Sequence, residues 1–386
     1  MKKLRIAIFT DSFLPQVNGV VIGTTNLVES LPRHKFLIVA PEPSKKVSWK
    51  PKNASIKFVS PAFDMPTYPE YRVCFLMPPK VWKSVEEFRP EIVLVQTPFF
   101  VGNQGVKFAK KAGIPAIGAY YTLLPDFLMY LPLPFIKHSN FAKQKAWDFG
   151  NSFYKKCDLV TSLSNIILEE LKKHGLKARM KKIPFGISST FFKKRKAKKS
   201  KDFKIAYAGR LSFEKSVDVV LKAFAILEKK FPETRMLLIG DGPARKSLEE
   251  LAKSLRIERK VEFAGMQSQE KVAELLSECN LAVTASAVET QGIANIEAMA
   301  LGLPVIAAEA MASKEIVKNG FNGFLFKPFS PEDCAEKAEK VLKDGKLASR
   351  LSKNAKEFAK KFSWEKIAKE YEKAFAEEIR RFEGKN

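Results

Sequence analysis

The sequence predicts an α/β protein built from two parallel-sheet domains, and three observations predict it. Short apolar runs bounded by turns alternate with stretches of helical spacing; the alternation breaks once, in a run of basic residues; the series then starts again. Strands buried on both faces read as continuous apolar runs, and parallel neighbours need helical crossovers between them. With 386 residues, 46% of them hydrophobic, the chain holds enough apolar material for two cores of ordinary size.

Arg5 to Thr10 reads as the first strand, followed by a long turn through Pro15 and Gly19, a helix from about Val21 to Leu31, and a second strand from Phe36 to Ala40. Further strands are expected at Ile92 to Gln96, Ala116 to Tyr120 and Leu159 to Ser162, with helices near Asn103 to Ala112, Ser139 to Lys156 and Ser164 to His174. The run Lys193-Lys194-Arg195-Lys196-Ala197-Lys198-Lys199-Ser200-Lys201 has no face to bury and reads as an interdomain linker. Strands resume at Lys204 to Tyr207, Met236 to Ile239, Val261 to Phe263, Leu281 to Ala285 and Val305 to Ala308, each followed by a helical stretch. Two Rossmann-like domains follow, residues 1–192 and 203–364 joined by the linker 193–202, with a last helix spaced on Ile367, Tyr371, Phe375 and Ile379 within 365–386.

Composition narrows the function classes. No run of eighteen apolar residues occurs, and the amino terminus meets charge and Asp11 too early for a signal peptide, so a cytoplasmic protein that does not span a membrane is expected. Cys74, Cys157, Cys279 and Cys334 lie at no metal-ligand or disulfide spacing, and only His34, His138 and His174 are present, which argues against a structural metal or a Ser-His triad. The net charge of +25 is uneven: residues 1–192 carry +15, the linker run +7 and the remainder +3. Such a field attracts polyanions, meaning an anionic membrane or nucleic acid, although lysine-rich solvation accounts for part of any such excess.

The chemistry concentrates in the run Glu289-Thr290-Gln291-Gly292-Ile293-Ala294-Asn295-Ile296-Glu297. Its two carboxylates hang over a strand-to-helix turn whose free N–H groups and helix dipole suit an anion, while the carboxylates accept hydrogen bonds from hydroxyls. A nucleotide sugar offers both groups. Arg210, behind Gly209, and Lys215 follow the first strand of the second domain, so both project at the carboxyl edge of the sheet, where open α/β folds bind ligands. Read singly, each of these is a turn residue or a surface ion pair.

The order of these segments, with Gly302-Leu303-Pro304 after the second glutamate, Asn18-Gly19-Val20 early, Gly240-Asp241-Gly242-Pro243 between and Phe362-Ser363-Trp364 late, resembles the retaining glycosyltransferase family 4. The resemblance implies the GT-B fold: two Rossmann-like domains facing across a cleft, with the last helix crossing back onto the first. It implies that Arg210 and Lys215 grip the donor diphosphate, that Glu297 accepts from the ribose hydroxyls, and that Glu289 positions the donor hexose. Gly19, Gly209, Gly240, Gln291, Gly292 and Ile293 would complete the donor site, with no cofactor and no metal ion. One position departs from the pattern. Tyr121, in Tyr120-Tyr121-Thr122, stands where many relatives carry a histidine. A phenol with a pKa near 10 donates a hydrogen bond but carries protons poorly at neutral pH, so either Tyr121 keeps the catalytic positioning role at the reacting centre or the activity is weaker or differently directed.

The Glu-Thr-Gln-Gly form of the motif and the opening Thr10-Asp11-Ser12-Phe13-Leu14-Pro15 resemble bacterial glyceroglycolipid synthases of the monoglucosyldiacylglycerol type. The segment from Pro125 through Phe127 to Lys137, with Phe141, Lys143, Lys145 and Trp147, interleaves apolar and basic residues as an interfacial surface does. The expected activity is therefore retaining hexosyl transfer from a nucleotide sugar to a lipid acceptor, by an enzyme peripheral on the inner face of the cell membrane. The alternatives are the same chemistry on a soluble sugar or glycan acceptor, and a catalytically reduced binding protein or a nucleic-acid binder exploiting the basic half; the basic-aromatic modules of RNA readers are missing.

Overall fold

A computed structural model describes residues 2–16, 18–65, 68–121, 123–128, 139–195 and 203–384. The chain divides into two units, residues 1–186 with 364–386, and residues 187–363. The first contains β1 (Arg5–Phe9), α1 (Gly19–Ser30), β2 (Lys35–Pro41), β3 (Ala54–Val59), β4 (Phe63–Met65), β5 (Tyr68–Val73), α2 (Pro79–Phe88), β6 (Ile92–Val95), α3 (Phe100–Ala112), β7 (Ala116–Tyr120), α4 (Leu124–Phe127), α5 (Asn140–Tyr154), β8 (Leu159–Ser162), α6 (Asn165–Lys173) and β9 (Met180–Lys182). The second contains β10 (Lys204–Ala208), α7 (Val217–Lys230), β11 (Arg235–Ile239), α8 (Arg245–Ser254), β12 (Val261–Gly265), α9 (Gln269–Ser277), β13 (Leu281–Thr284), α10 (Ile293–Leu301), β14 (Val305–Ala308), α11 (Ser313–Ile316), β15 (Gly323–Phe326), α12 (Pro331–Lys343) and α13 (Gly345–Ala359). The last helix, α14 (Trp364–Glu383), belongs to the first unit.

Both main sheets are parallel, in the orders β3-β2-β1-β6-β7-β8-β9 and β12-β11-β10-β13-β14-β15. Each order reverses at its first strand, so the first unit has a switch point between β1 and β6 and the second between β10 and β13. Loops leaving such neighbours turn to opposite faces of the sheet and open a crevice at its carboxyl edge. β1 and β6 are almost wholly buried, as are β13 and β14, in keeping with strands covered on both faces.

The strands expected from apolar runs are present, and the additions have a common cause. β3, Ala-Ser-Ile-Lys-Phe-Val, alternates between partly covered and exposed positions because it is an edge strand, and lacks the continuous apolar run of its neighbours. The β4–β5 hairpin, β9 and β15 are likewise short or at edges. One boundary moves. Residues 187–192, read as the end of the first domain, pack in the second: Ile187 and Phe191 join Ala206, Ile296, Met299 and Val305 in one apolar cluster, and the Ile187 N–H donates to the Phe362 carbonyl at 2.8 Å.

The final helix is fastened to the first unit by polar groups as well as by its apolar stripe. Glu372 pairs with Arg33 and with His34 Nε2 at 2.7 Å, and Arg179 Nη1 reaches both carboxylate oxygens of Glu378, at 2.9 and 2.7 Å. His34 Nδ1 accepts from the Leu4 N–H at 3.0 Å, which leaves Nε2 to donate to Glu372. Ile367, Tyr371 and Phe375 are buried on the same helix.

Candidate active site

In the second unit three turns meet at the carboxyl edge, two of them leaving the switch-point strands. After β10 the chain passes Gly209 and Arg210 into a short 3-10 turn, Phe213–Lys215, and the Tyr207 hydroxyl closes this turn by donating to the Arg210 carbonyl at 2.9 Å. After β11, Gly240 lies so close to its neighbour that a Cβ would come within 1.9 Å of the Gly209 carbonyl oxygen, and its φ of +139° suits glycine. The Leu211 N–H donates to the Asp241 carbonyl and the Ala244 N–H to the Leu211 carbonyl, both at 2.9 Å, so the two turns are stitched by backbone. Asp241 is held below its usual carboxylate range by the Gly242 N–H and by Arg245, whose guanidinium also meets Glu249.

The third turn follows β13. Ser286 donates to the Val288 carbonyl at 2.8 Å, and Gly292, at φ +81°, caps α10 in a left-handed conformation that other residues adopt at a cost. Glu289 is fixed from two sides: one oxygen accepts from the Gly292 N–H at 3.0 Å and the other from Lys215 Nζ at 3.1 Å. The structure thus brings Lys215, Glu289 and Gly292 together, with Gln291 buried behind them and Ile293 opening the helix.

Glu297 is the fifth residue of α10. Among the described residues its carboxylate has no hydrogen-bond donor, and desolvation pushes its pKa up to about 8. A half-buried carboxylate with vacant acceptor oxygens is suited to a ligand that brings hydroxyl donors. Two exposed apolar side chains at this same edge escaped the sequence reading, Phe213 (71% exposed) in the turn that carries Lys215 and Met266 (68%) directly after β12. Nothing in a single apolar residue's identity distinguishes a side chain left in solvent from one in the core.

In the first unit the loop after β1 is held rigidly by its own side chains. Ser12 donates to Gln16 Oε1 at 2.6 Å, Asn18 Nδ2 donates to the Ser12 hydroxyl at 2.9 Å, and Asn18 Oδ1 accepts from the Val21 N–H, capping α1. A Cβ at Gly19, the first residue of that helix, would meet no atom within 4 Å, so this backbone is open to approach. Asp11 bridges the switch point: its carboxylate accepts from the Thr97 hydroxyl at 2.7 Å and from the Val101 and Gly102 N–H groups at 2.7 and 3.1 Å, at the start of α3. Burial still raises its pKa to about 6. Asp11, Phe13, Gln16, Glu42, Ser44 and Arg72 line a cleft at this edge.

Tyr121 is buried in the first unit. Its ring is buried against Phe185 with centroids 4.5 Å apart, and its hydroxyl pairs with that of Tyr371 on α14 at 2.9 Å. Burial and the Tyr371 hydroxyl hold its pKa well above 10, so it does not ionise at neutral pH. Trp147 also departs from expectation, being buried beneath Tyr120 and His174 rather than presented to an interface. On the same helix Phe141 is exposed, with Lys145 Nζ 5.3 Å from its ring centroid. Residues 129–138, the middle of the segment read as interfacial, and 196–202, most of the basic linker, fall outside the described residues.

Two parallel sheets, each with its switch point, and a lysine paired with a carboxylate at the second one suit an anionic, hydroxyl-bearing ligand. Residues 17–191 match the model for glycosyltransferase family 4, and residues 188–358 that for glycosyl transferases group 1. The chain is therefore a glycosyltransferase built from a family 4 domain and a group 1 domain. It is 26% identical to an alpha-monoglucosyldiacylglycerol synthase of Acholeplasma laidlawii over 97% of this chain and 98% of that protein. It is 25% identical to the sulfoquinovosyl transferase SQD2 of Arabidopsis thaliana over 79% of this chain and 60% of that protein. Among solved structures, Alr3699/HepE of Anabaena in complex with UDP aligns with a TM-score of 0.75 at 19% identity, covering 97% of this chain and 100% of that one. The fold is GT-B. Among the described residues no helix is long and apolar enough to cross a membrane.

Proposed function

We propose that this glycosyltransferase moves a hexose from a nucleoside diphosphate sugar to a membrane lipid of the diacylglycerol type, with retention at the anomeric carbon and without a metal ion. Two similar proteins, named for a glucosyldiacylglycerol and a sulfoquinovosyl product, support the lipid acceptor. The observation that carries the donor half is the Lys215, Glu289 and Gly292 cluster at the second unit's switch point, with Arg210 on the same loop as Lys215.

In this reading Arg210 and Lys215 face the diphosphate and strengthen their hold as its charge grows, the contribution a metal makes in other transferases. Glu289 keeps Lys215 in place before the donor arrives and lies beside the hexose, where its negative charge favours a positively charged anomeric carbon. The bond from that carbon to the phosphate oxygen breaks, the acceptor oxygen bonds to the carbon on the same face, and the acceptor's proton passes to the departing phosphate. No protein base is needed for that transfer. Glu297 accepts from the ribose diol. Tyr121 braces the last helix through Tyr371 and takes no part at the reacting carbon.

UDP is the nucleotide named with the Anabaena structure, so a UDP-hexose is the first donor to test. Incubation with UDP-glucose, UDP-galactose or GDP-mannose and diacylglycerol vesicles should consume one donor and yield a chloroform-soluble glycolipid, at a rate unchanged by EDTA. Consumption that stops with EDTA and returns with magnesium would refute the metal-independent site; a product found only on soluble sugars would refute the lipid acceptor.

A further inference from the structure

Resting on the lipid acceptor proposed above, we infer that an anionic bilayer meets the first unit across the β4–β5 hairpin and the lysine-rich loop after β2, and that the acceptor headgroup enters the cleft between them. The sequence points instead to the segment from Phe127 to Trp147, of which residues 129–138 lie outside the described residues.

The hairpin follows the edge strand β3 and ends in Cys74, Phe75 and Leu76. Phe63, Phe75 and Leu76 are 53%, 68% and 69% exposed, and the two phenyl rings lie 6.2 Å apart. Large apolar side chains scattered singly on a surface need no explanation, but three grouped on one short hairpin and the residues that follow it do. The hairpin itself is anchored, so these tips are presented rigidly: Tyr71 is buried with its ring against Phe99, and the Arg72 guanidinium holds the Ala62 carbonyl and reaches Asp64 at 3.3 Å.

On the other side of the cleft the chain from Pro43 to Phe63 contains Lys45, Lys46, Lys50, Lys52 and Lys57 and no acidic residue. Lys45, Lys46, Lys50 and Lys52 are exposed, and among the described residues none has a carboxylate within ion-pair distance. The loop is tied down by Trp49, which packs edge-on against Phe13 at 6.0 Å and donates to Glu29 at 2.7 Å. The two flanks share one cleft, since Ser44 next to Lys45 and Arg72 on the hairpin both line it. Asp11, Gln16 and Glu42 also line it and carry acceptor oxygens suited to hydroxyls.

An occupant must therefore be apolar where it meets Phe63, Phe75 and Leu76, anionic where it meets the lysines, and hydroxyl-bearing where it meets the cleft. A bilayer of anionic phospholipid containing a glycerolipid alcohol presents these three chemistries together. A soluble glycan presents only the last.

Sedimentation of the full chain with vesicles of neutral phospholipid, with and without an anionic phospholipid, tests the assignment. Binding should require the anionic lipid, weaken with salt, and fall by about tenfold or more both in the triple variant Phe63→Ser, Phe75→Ser, Leu76→Ser and in Lys45→Glu, Lys46→Glu, Lys50→Glu. UDP affinity, read by calorimetry, should stay unchanged in both and shows that the variants are folded. Phe141→Ser with Lys143→Glu and Lys145→Glu should bind vesicles as the parent does. If this α5 variant loses binding while the other two keep it, the docking face is wrong and the lipid acceptor stands. If the parent ignores anionic vesicles at low salt and glycosylates a soluble sugar, the acceptor reading itself fails.

Discussion

The two units carry the same device, a switch point at the carboxyl edge of a parallel sheet, and have equipped it in opposite ways. In the second unit backbone turns approach so closely that glycine is required at Gly240, and one carboxylate, Glu289, is clamped between a lysine and a helix N–H. In the first unit the turns are held by side chains, through Asp11 with Thr97 and through Ser12, Gln16 and Asn18, and the flanks are exposed phenylalanines and lysines with no ion pair among the described residues. A rigid, charged crevice suits a donor whose diphosphate must be met in a fixed geometry. A polar cleft with a greasy and basic rim suits an acceptor delivered by a surface. The comparison teaches that one architecture is divided by the chemistry of its loops and not by its sheets.

That contrast breaks most sharply if the second unit's cations prove dispensable. Arg210→Ala and Lys215→Ala should each cut kcat by on the order of 100-fold, because the contact strengthens as the phosphate departs. Steady-state transfer rates check this, and near-parental turnover in both variants would remove the donor site from the second unit.

Gly240→Ala comes next. The new methyl would lie 1.9 Å from the Gly209 carbonyl oxygen, and the turn must open to admit it. A loss of roughly 2 kcal/mol or more in stability is expected by denaturant titration, with weakened nucleotide binding. Gly19→Ala in the first unit meets open space and should cost stability nothing measurable; equal losses would erase the difference between the two edges.

Glu297 sharpens the comparison through pH. Its carboxyl pKa is raised from 4.5 to about 8 in the folded chain, so between those values the folded state keeps a proton the unfolded state has lost. Stability therefore falls as pH rises through that window. Because the residue is half-buried, solvent screens part of the penalty, and Glu297→Gln should recover roughly 1–2 kcal/mol at pH 8 and nothing below pH 4. A diol that donates to the ionised carboxylate favours the deprotonated form, so nucleotide affinity should rise with pH toward 8 and binding should release a proton near neutrality. Calorimetry in buffers of different ionisation enthalpy reads that proton; a pH-independent affinity contradicts the ribose assignment.

The smallest effect is expected at Tyr121→Phe. It leaves the buried Tyr371 hydroxyl without that partner, for about 1 kcal/mol of stability, and should change turnover by less than about twofold. A tenfold fall in kcat at unchanged stability would return Tyr121 to the reacting centre.

What was legible in the sequence followed from local rules. Buried parallel strands announce themselves as apolar runs, so β1, β6, β7, β8 and the strands β10 to β14 were readable to within a residue or two. The order of Arg210, Lys215, Glu289 and Glu297 along the chain pointed to one edge, and the structure does bring Lys215 and Glu289 to 3.1 Å. The edge strands β3 and β9 were not readable, because β3 alternates with lysine and serine and β9 is Met-Lys-Lys. Side-chain direction was not readable either. Trp147 and Phe141 lie on the same helix with the same neighbours in type, yet one is buried under Tyr120 and the other stands in solvent, a difference of helical phase that only the packing partner decides.

The activity proposed for this chain is transfer of a sugar, with retention, from a nucleotide donor to a lipid. The most direct measurement is the anomeric configuration, by proton NMR, of the product made from an α-linked UDP-hexose and diacylglycerol vesicles. An α-linked, chloroform-soluble glycolipid is the result predicted; a β-linked lipid would contradict retention, and donor consumption with no sugar in the lipid phase would contradict the acceptor.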